Sequence, residues 1–76
     1  MQKILVVDDE RNLRLLYKME FELEGYNVIT AADGAEGLRL FASESPDLVV
    51  LDVRMPGMDG LDTMARMLGR NPRIPV

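Results

Sequence analysis

Asp8, Asp9 and Asp52 carry the chemistry that this sequence could do. Asp8 and Asp9 follow the apolar run Ile4-Leu5-Val6-Val7, and Asp52 interrupts the run Leu48–Val53. Short β-branched runs of this kind read as strands buried on both faces, the signature of a parallel sheet. Such sheets bind ligands outside the carboxyl ends of their strands, where the strand order reverses. If the two runs are neighbours, the carboxylates of Asp8, Asp9 and Asp52 converge on one small volume. Carboxylates about 5 Å apart repel by roughly 3 kcal/mol at an effective dielectric of about 20, so a cation is needed to offset the repulsion. The chain has no His and no Cys. That leaves oxygen ligands and a hard ion: Mg²⁺, Mn²⁺ or Ca²⁺. Mg²⁺ is the first choice, because it keeps several waters and needs few protein carboxylates.

Each piece also has a structural explanation. An acidic pair after a strand can simply cap the next helix and favour its dipole. Met55-Pro56-Gly57 alone is a turn, and Asp59-Gly60 alone is a helix entry. Asp52 resists this treatment. An acid at the end of an apolar strand costs several kcal/mol, order of magnitude, if it is buried unpaired. It must therefore be exposed, cap something or bind something.

The elements that would position these residues follow from periodicity. Lys3 to Val7 is a first strand, and Glu10 to Glu24 has helical period, with Leu13, Leu16, Tyr17 and Phe21 on one stripe. Gly25 stands where a left-handed cap is needed, and Tyr26 can pack back on the last turn. Leu15, Met19 and Leu23 form a further line, which is expected to pack, with a partner surface as the alternative. Asn27 to Ala31 is a second strand. Asp33 and Glu36 have the spacing of a capping box and open a helix with Ala35, Leu38, Phe41 and Ala42 inward. Pro46 ends that helix by forcing Ser45 into extended backbone. Leu48 to Val53 is the third strand, and Met55 to Gly60 is a loop. Leu61, Met64, Ala65 and Leu68 give a third helical stripe, closed by Gly69 and Asn71-Pro72. Ile74-Pro75-Val76 reads as the start of a fourth strand. The order β-α-β-α-β-α implies an α/β fold with a doubly wound parallel sheet and right-handed crossovers.

Composition narrows the function classes. The 76 residues form at most one small domain, with 13 acidic and 9 basic residues and a net charge of −4. That balance argues against a nucleic-acid surface. No apolar run approaches the roughly 20 residues needed to cross a bilayer, and the run before Asp8 is too short for a signal peptide. The expectation is a cytoplasmic protein without disulfides.

Together the motifs resemble response-regulator receiver domains of two-component signalling. Ile4-Leu5-Val6-Val7-Asp8-Asp9-Glu10 looks like their opening, and Leu51-Asp52-Val53-Arg54-Met55-Pro56-Gly57-Met58-Asp59-Gly60 like their phosphorylation loop. Glu24-Gly25-Tyr26, Ala32-Asp33-Gly34-Ala35-Glu36 and Pro46-Asp47-Leu48-Val49 fall where receivers carry similar segments. The resemblance implies a flavodoxin-like fold and a role as phosphoacceptor rather than enzyme. Asp52 would be the nucleophile that takes a phosphoryl group from the phosphohistidine of a sensor histidine kinase. Asp9 and Asp52 would hold Mg²⁺ directly, Asp8 mainly through water, and Arg54 through its backbone carbonyl.

The same resemblance implies a Ser or Thr and a Lys on a fourth and a fifth strand, positions that residues 1–76 do not include. The chain therefore reads as one partial receiver domain: strands 1–3, helices 1–3 and the start of strand 4. Phosphotransfer is expected to be impaired. Leu48–Val53 would be a sheet edge without Pro or Lys, and the first helix would have an uncovered face. A homodimer through that edge or that helix face is expected, and self-association without phosphotransfer is the competing reading. A Mg²⁺-dependent phosphatase of the haloacid-dehalogenase type would want a second Asp where Arg54 stands. A nucleotide-binding module would want a glycine-rich loop after the first strand.

Overall fold

The computed structural model describes residues 2–52 and 60–70. Six elements alternate along them: β1 (Lys3–Val7), α1 (Arg11–Leu23), β2 (Asn27–Ala31), α2 (Gly34–Glu44), β3 (Leu48–Leu51) and α3 (Gly60–Arg70). The strands form one parallel sheet in the order β2-β1-β3. Val53, Arg54, the Met55–Pro56–Gly57 turn and the expected start of a fourth strand lie outside the described residues.

Alternation along β1 divides the core in two. Leu5 and Val7 join Ala31, Phe41, Val49 and Met67 on the face covered by α2 and α3. Ile4 and Val6 join Val28 on the opposite face, where Tyr17, Phe21 and Tyr26 pack. Helices on both faces make the sheet doubly wound, as the β-α-β-α-β-α order requires. Burying a side chain such as Leu5 or Ile4 contributes about 1.5–3 kcal/mol, an upper figure for a chain that is compact when unfolded. All four apolar residues from Ile4 to Val7 are buried. β1 therefore anchors both layers.

The helix ends follow local chemistry. α1 begins at the N-cap Glu10, whose carboxylate accepts from the amides of Asn12 and Leu13. It ends with Gly25 at φ +93°. There the Tyr26 amide donates to the Phe21 carbonyl and the Gly25 amide to that of Glu22. This pairing is the Schellman arrangement, and the edge-to-face contact of Phe21 with Tyr26 supplies its apolar part. α2 opens on Asp33, whose Oδ1 accepts from the Glu36 amide at 2.8 Å, while Glu36 Oε1 accepts from the Ala32 amide.

Several expectations need correction. Ala35, Ala42 and Ala65 are exposed rather than inward. α2 instead buries Gly34, Gly37 and Phe41, and α3 buries Thr63 and Met67. Helix-on-sheet packing here favours glycine for close approach and one large side chain per turn, so the alanines fall to the outer side. Ser45 is not extended before Pro46. It adopts a left-handed conformation at φ 48°, with its amide bonded to the Phe41 carbonyl, and that bond ends the helix. Gly69 lies within α3 rather than closing it. Leu15, Met19 and Leu23 do not pack, Leu23 being 83% exposed. Of the inward stripe of α1, Tyr17 and Phe21 reach the core, whereas Leu16 is 50% exposed. No helix among the described residues is long and apolar enough to cross a membrane.

Candidate metal centre

The chain path brings the acidic residues together. β1 leads through α1 to β2 on one side of it, and α2 then carries the chain back across to β3 on the other side. The strand order thus reverses between β1 and β3, and the crevice of a doubly wound sheet opens at that point. Asp8 and Asp9 follow the last residue of β1, and Asp52 follows the last residue of β3. The ladder continues one residue into the crevice, because the Asp52 amide donates to the Val7 carbonyl at 2.9 Å and the Asp8 amide to that of Ala31 at 3.1 Å. One carboxylate oxygen each from Asp8, Asp9 and Asp52 lies within 4.8 Å of the others. The sequence-based expectation named these residues.

Burial is graded across the cluster. Asp8 is 5% exposed, Asp52 is partly buried and Asp9 is open to solvent. Asp8 Oδ1 accepts from the Glu10 amide at 2.9 Å. Capping of α1 falls to Glu10. Asp8 and Asp9 are thus not the caps of the following helix, and the structural explanation for the acidic pair fails on this point. A hard divalent ion fits the donor set: oxygen ligands only, close enough to converge, on two strand ends held by main-chain hydrogen bonds. Arg54 lies outside the described residues.

Sequence reasoning overlooked Arg14. Its Nη1 donates to the main-chain carbonyl of Asp8 at 2.8 Å. A signal for it existed. Arg14 stands three residues before Tyr17 and seven before Phe21, so it is a cation on the packed side of an amphipathic helix.

Comparison with known proteins decides the family. The family model described as response regulator receiver domain matches residues 4–76. The chain belongs to the response regulator receiver family. Sporulation initiation phosphotransferase F of Bacillus subtilis (strain 168) is 46% identical over 66 residues, covering 87% of this chain and 53% of that protein. Among solved structures, response regulator protein TrrA of Thermotoga maritima in complex with Mg(2+)-BeF superposes with a TM-score of 0.91 at 46% identity. That match covers 95% of this receiver chain and 63% of TrrA. The complex of histidine kinase ThkA with TrrA matches with a TM-score of 0.90 at 44% identity, covering 97% of this chain and 64% of the other. This receiver chain thus spans between half and two thirds of these relatives, and the three-stranded sheet and three helices of its described residues have the receiver fold.

Proposed function

We propose that this chain is a phosphoacceptor of two-component signalling, with Asp52 receiving a phosphoryl group from a sensor histidine kinase. The observation that carries the reading is the convergence of Asp8, Asp9 and Asp52 within 4.8 Å at the switch point of a receiver fold. A carboxylate oxygen of Asp52 would attack phosphorus in line as the bond to the kinase imidazole nitrogen breaks; with the other ring nitrogen already protonated, this leaves an acyl phosphate on Asp52 and a neutral imidazole on the kinase. Asp9 and Asp52 would bind Mg²⁺ directly, Asp8 chiefly through water, and Arg54 through its carbonyl oxygen. A bound Mg²⁺ would supply charge neutralisation for the phosphoryl oxygens and for the clustered carboxylates. The buried Asp8, fixed by the Glu10 amide, holds its side of the crevice rigid. Asp52 is held to β1 by its own amide, so its carboxylate has a fixed origin from which to attack.

The ThkA–TrrA complex supports the kinase as partner, and the Mg(2+)-BeF complex of TrrA supports Mg²⁺ as the ion. A cytoplasmic location belongs to the same reading. The test is intact-protein mass spectrometry after incubation with Mg²⁺ and a small phosphodonor, beside Asp52→Asn. A phosphoryl adduct on the parent alone supports the reading, and an adduct on both chains or on neither sinks it.

A second reading, self-association, is favoured by the surface of α1. Leu13, Leu15, Leu16, Met19 and Leu23 are all exposed, and Met19, Glu22 and Leu23 line a shallow depression of about 290 Å³. Among the described residues β3 pairs only with β1. Either surface could seat a second copy of the chain.

A further inference from the structure

We infer that Arg14 is a positioning residue for the cation site, acting through the main chain of Asp8. The inference rests on the reading of Asp8, Asp9 and Asp52 as Mg²⁺ ligands.

β1 is held on both sides as far as the Asp8 amide, which donates to Ala31, while the Val7 carbonyl accepts from Asp52. Beyond that point the ladder stops. β2 ends at Ala31 and α1 starts at Arg11, so the turn through Asp8, Asp9 and Glu10 has no sheet partner. Among the described residues, two hydrogen bonds tie Asp8 to the segment that follows it. The Glu10 amide donates to Asp8 Oδ1 at 2.9 Å, and Arg14 Nη1 donates to the Asp8 carbonyl at 2.8 Å. The first engages a carboxylate oxygen that a cation would also draw on. The second engages only backbone and leaves both carboxylate oxygens of Asp8 available. Of these two bonds on Asp8, that from Arg14 is the one that does not compete with the ion.

The planar guanidinium suits the role. It offers several donors from one rigid group, and its charge makes the bond to the carbonyl a strong one. It springs from the second turn of α1, a helix started independently by Glu10. Arg14 thus ties the ligand-bearing turn to a preformed element.

Electrostatics gives the inference a sign that can be tested. Taking a cation away from beside an acidic cluster would, by charge alone, tighten binding of Mg²⁺. Loss of a positioning bond would weaken it. Arg14→Met removes the charge and the donors but keeps an apolar stem, and Arg14→Lys keeps the charge with a compact ammonium on a flexible stem. Mg²⁺ affinity of the full chain, measured by isothermal titration calorimetry at fixed ionic strength, separates the cases. The expected result for Arg14→Met is roughly tenfold weaker binding, the lower end of losses for outer-shell partners of metal ligands. Arg14→Lys is expected to fall between parent and Arg14→Met. Melting temperatures without metal verify that the variants are folded. If Arg14→Met does not fold, Arg14→Lys carries the test, with a weakening of about threefold on the same scale expected. Unchanged or tighter binding in the folded variants overturns the inference while leaving the metal site standing. Absence of Mg²⁺ binding by the parent overturns both.

Discussion

Gly37 of α2 lies so close to Val7 of β1 that a Cβ added to it would stand 2.9 Å from Val7 Cγ2 and 3.1 Å from Cγ1. Val7 is buried and β-branched, and its carbonyl receives the Asp52 amide, so it cannot move aside freely. Alanine favours a helix interior over glycine by about 1 kcal/mol. Overpacking against a fixed core residue costs about 1–3 kcal/mol and prevails. Gly37→Ala is expected to lower stability, read as a lower urea midpoint at unchanged slope.

Two other glycines separate conformation from space. Gly25 has φ +93° with nothing near its missing Cβ, so the strain on Gly25→Ala is purely that of the backbone. A loss of about 1 kcal/mol is expected. Gly69 lies in the exposed last turn of α3, also with open space around it. Gly69→Ala is expected to gain about 0.4–1 kcal/mol. Opposite shifts in thermal midpoint would bear this out, and shifts of the same sign would refute it.

Much of this arrangement is legible in the sequence because the strands are short, apolar and flanked by strong signals. The spans of β1 and β2 read directly from their runs, and Asp8, Asp9 and Asp52 stand out as acids at the ends of such runs. The inward faces of α2 and α3 do not read as easily. A search for apolar stripes selects Ala35 and Ala42, whereas the sheet accepts Gly34 and Gly37, which hydrophobicity does not single out. Thr63 is likewise fully buried. Arg14 is hidden for another reason: its partner is a main-chain carbonyl, and a carbonyl leaves no mark in a sequence.

Capping and metal binding are expected to separate on mutation. Glu10→Ala removes the acceptor of the Asn12 and Leu13 amides and should cost about 1 kcal/mol of stability. Asp9→Asn leaves the cap intact and relieves like-charge repulsion, so the metal-free chain should be as stable as the parent or more so. Added Mg²⁺ should reverse that order. At about ten times its Kd an ion that binds only the folded chain stabilises it by about 1.4 kcal/mol, and Asp9→Asn should forgo this gain. Thermal melts with and without Mg²⁺ give both comparisons. An equal response of parent and Asp9→Asn to Mg²⁺ would contradict the proposed ligand set.

Self-association, if it uses α1, should depend on its outer face. Met19 is 63% and Leu23 83% exposed, so replacing both with Lys removes apolar surface without disturbing packing. Sedimentation of the double variant should show less association than the parent at equal concentration. If the parent associates and the variant does so equally, Met19 and Leu23 are not in the contact. A compact monomer for the parent at high micromolar concentration removes this reading altogether.

The position of β1 between its two neighbours sets how the acidic cluster comes apart. Asp8 and Asp9 hang from the strand that is bonded on both sides, while Asp52 hangs from a strand paired only with β1 among the described residues. Local opening proceeds from the least protected elements inward. Breathing of β3 therefore carries Asp52 away while Asp8 keeps its place, and amide exchange should be lopsided, fast at Val7 and Val50, whose amides face each other's strand across the β1–β3 ladder, and slow at Val6 and Asp8, whose amides face β2.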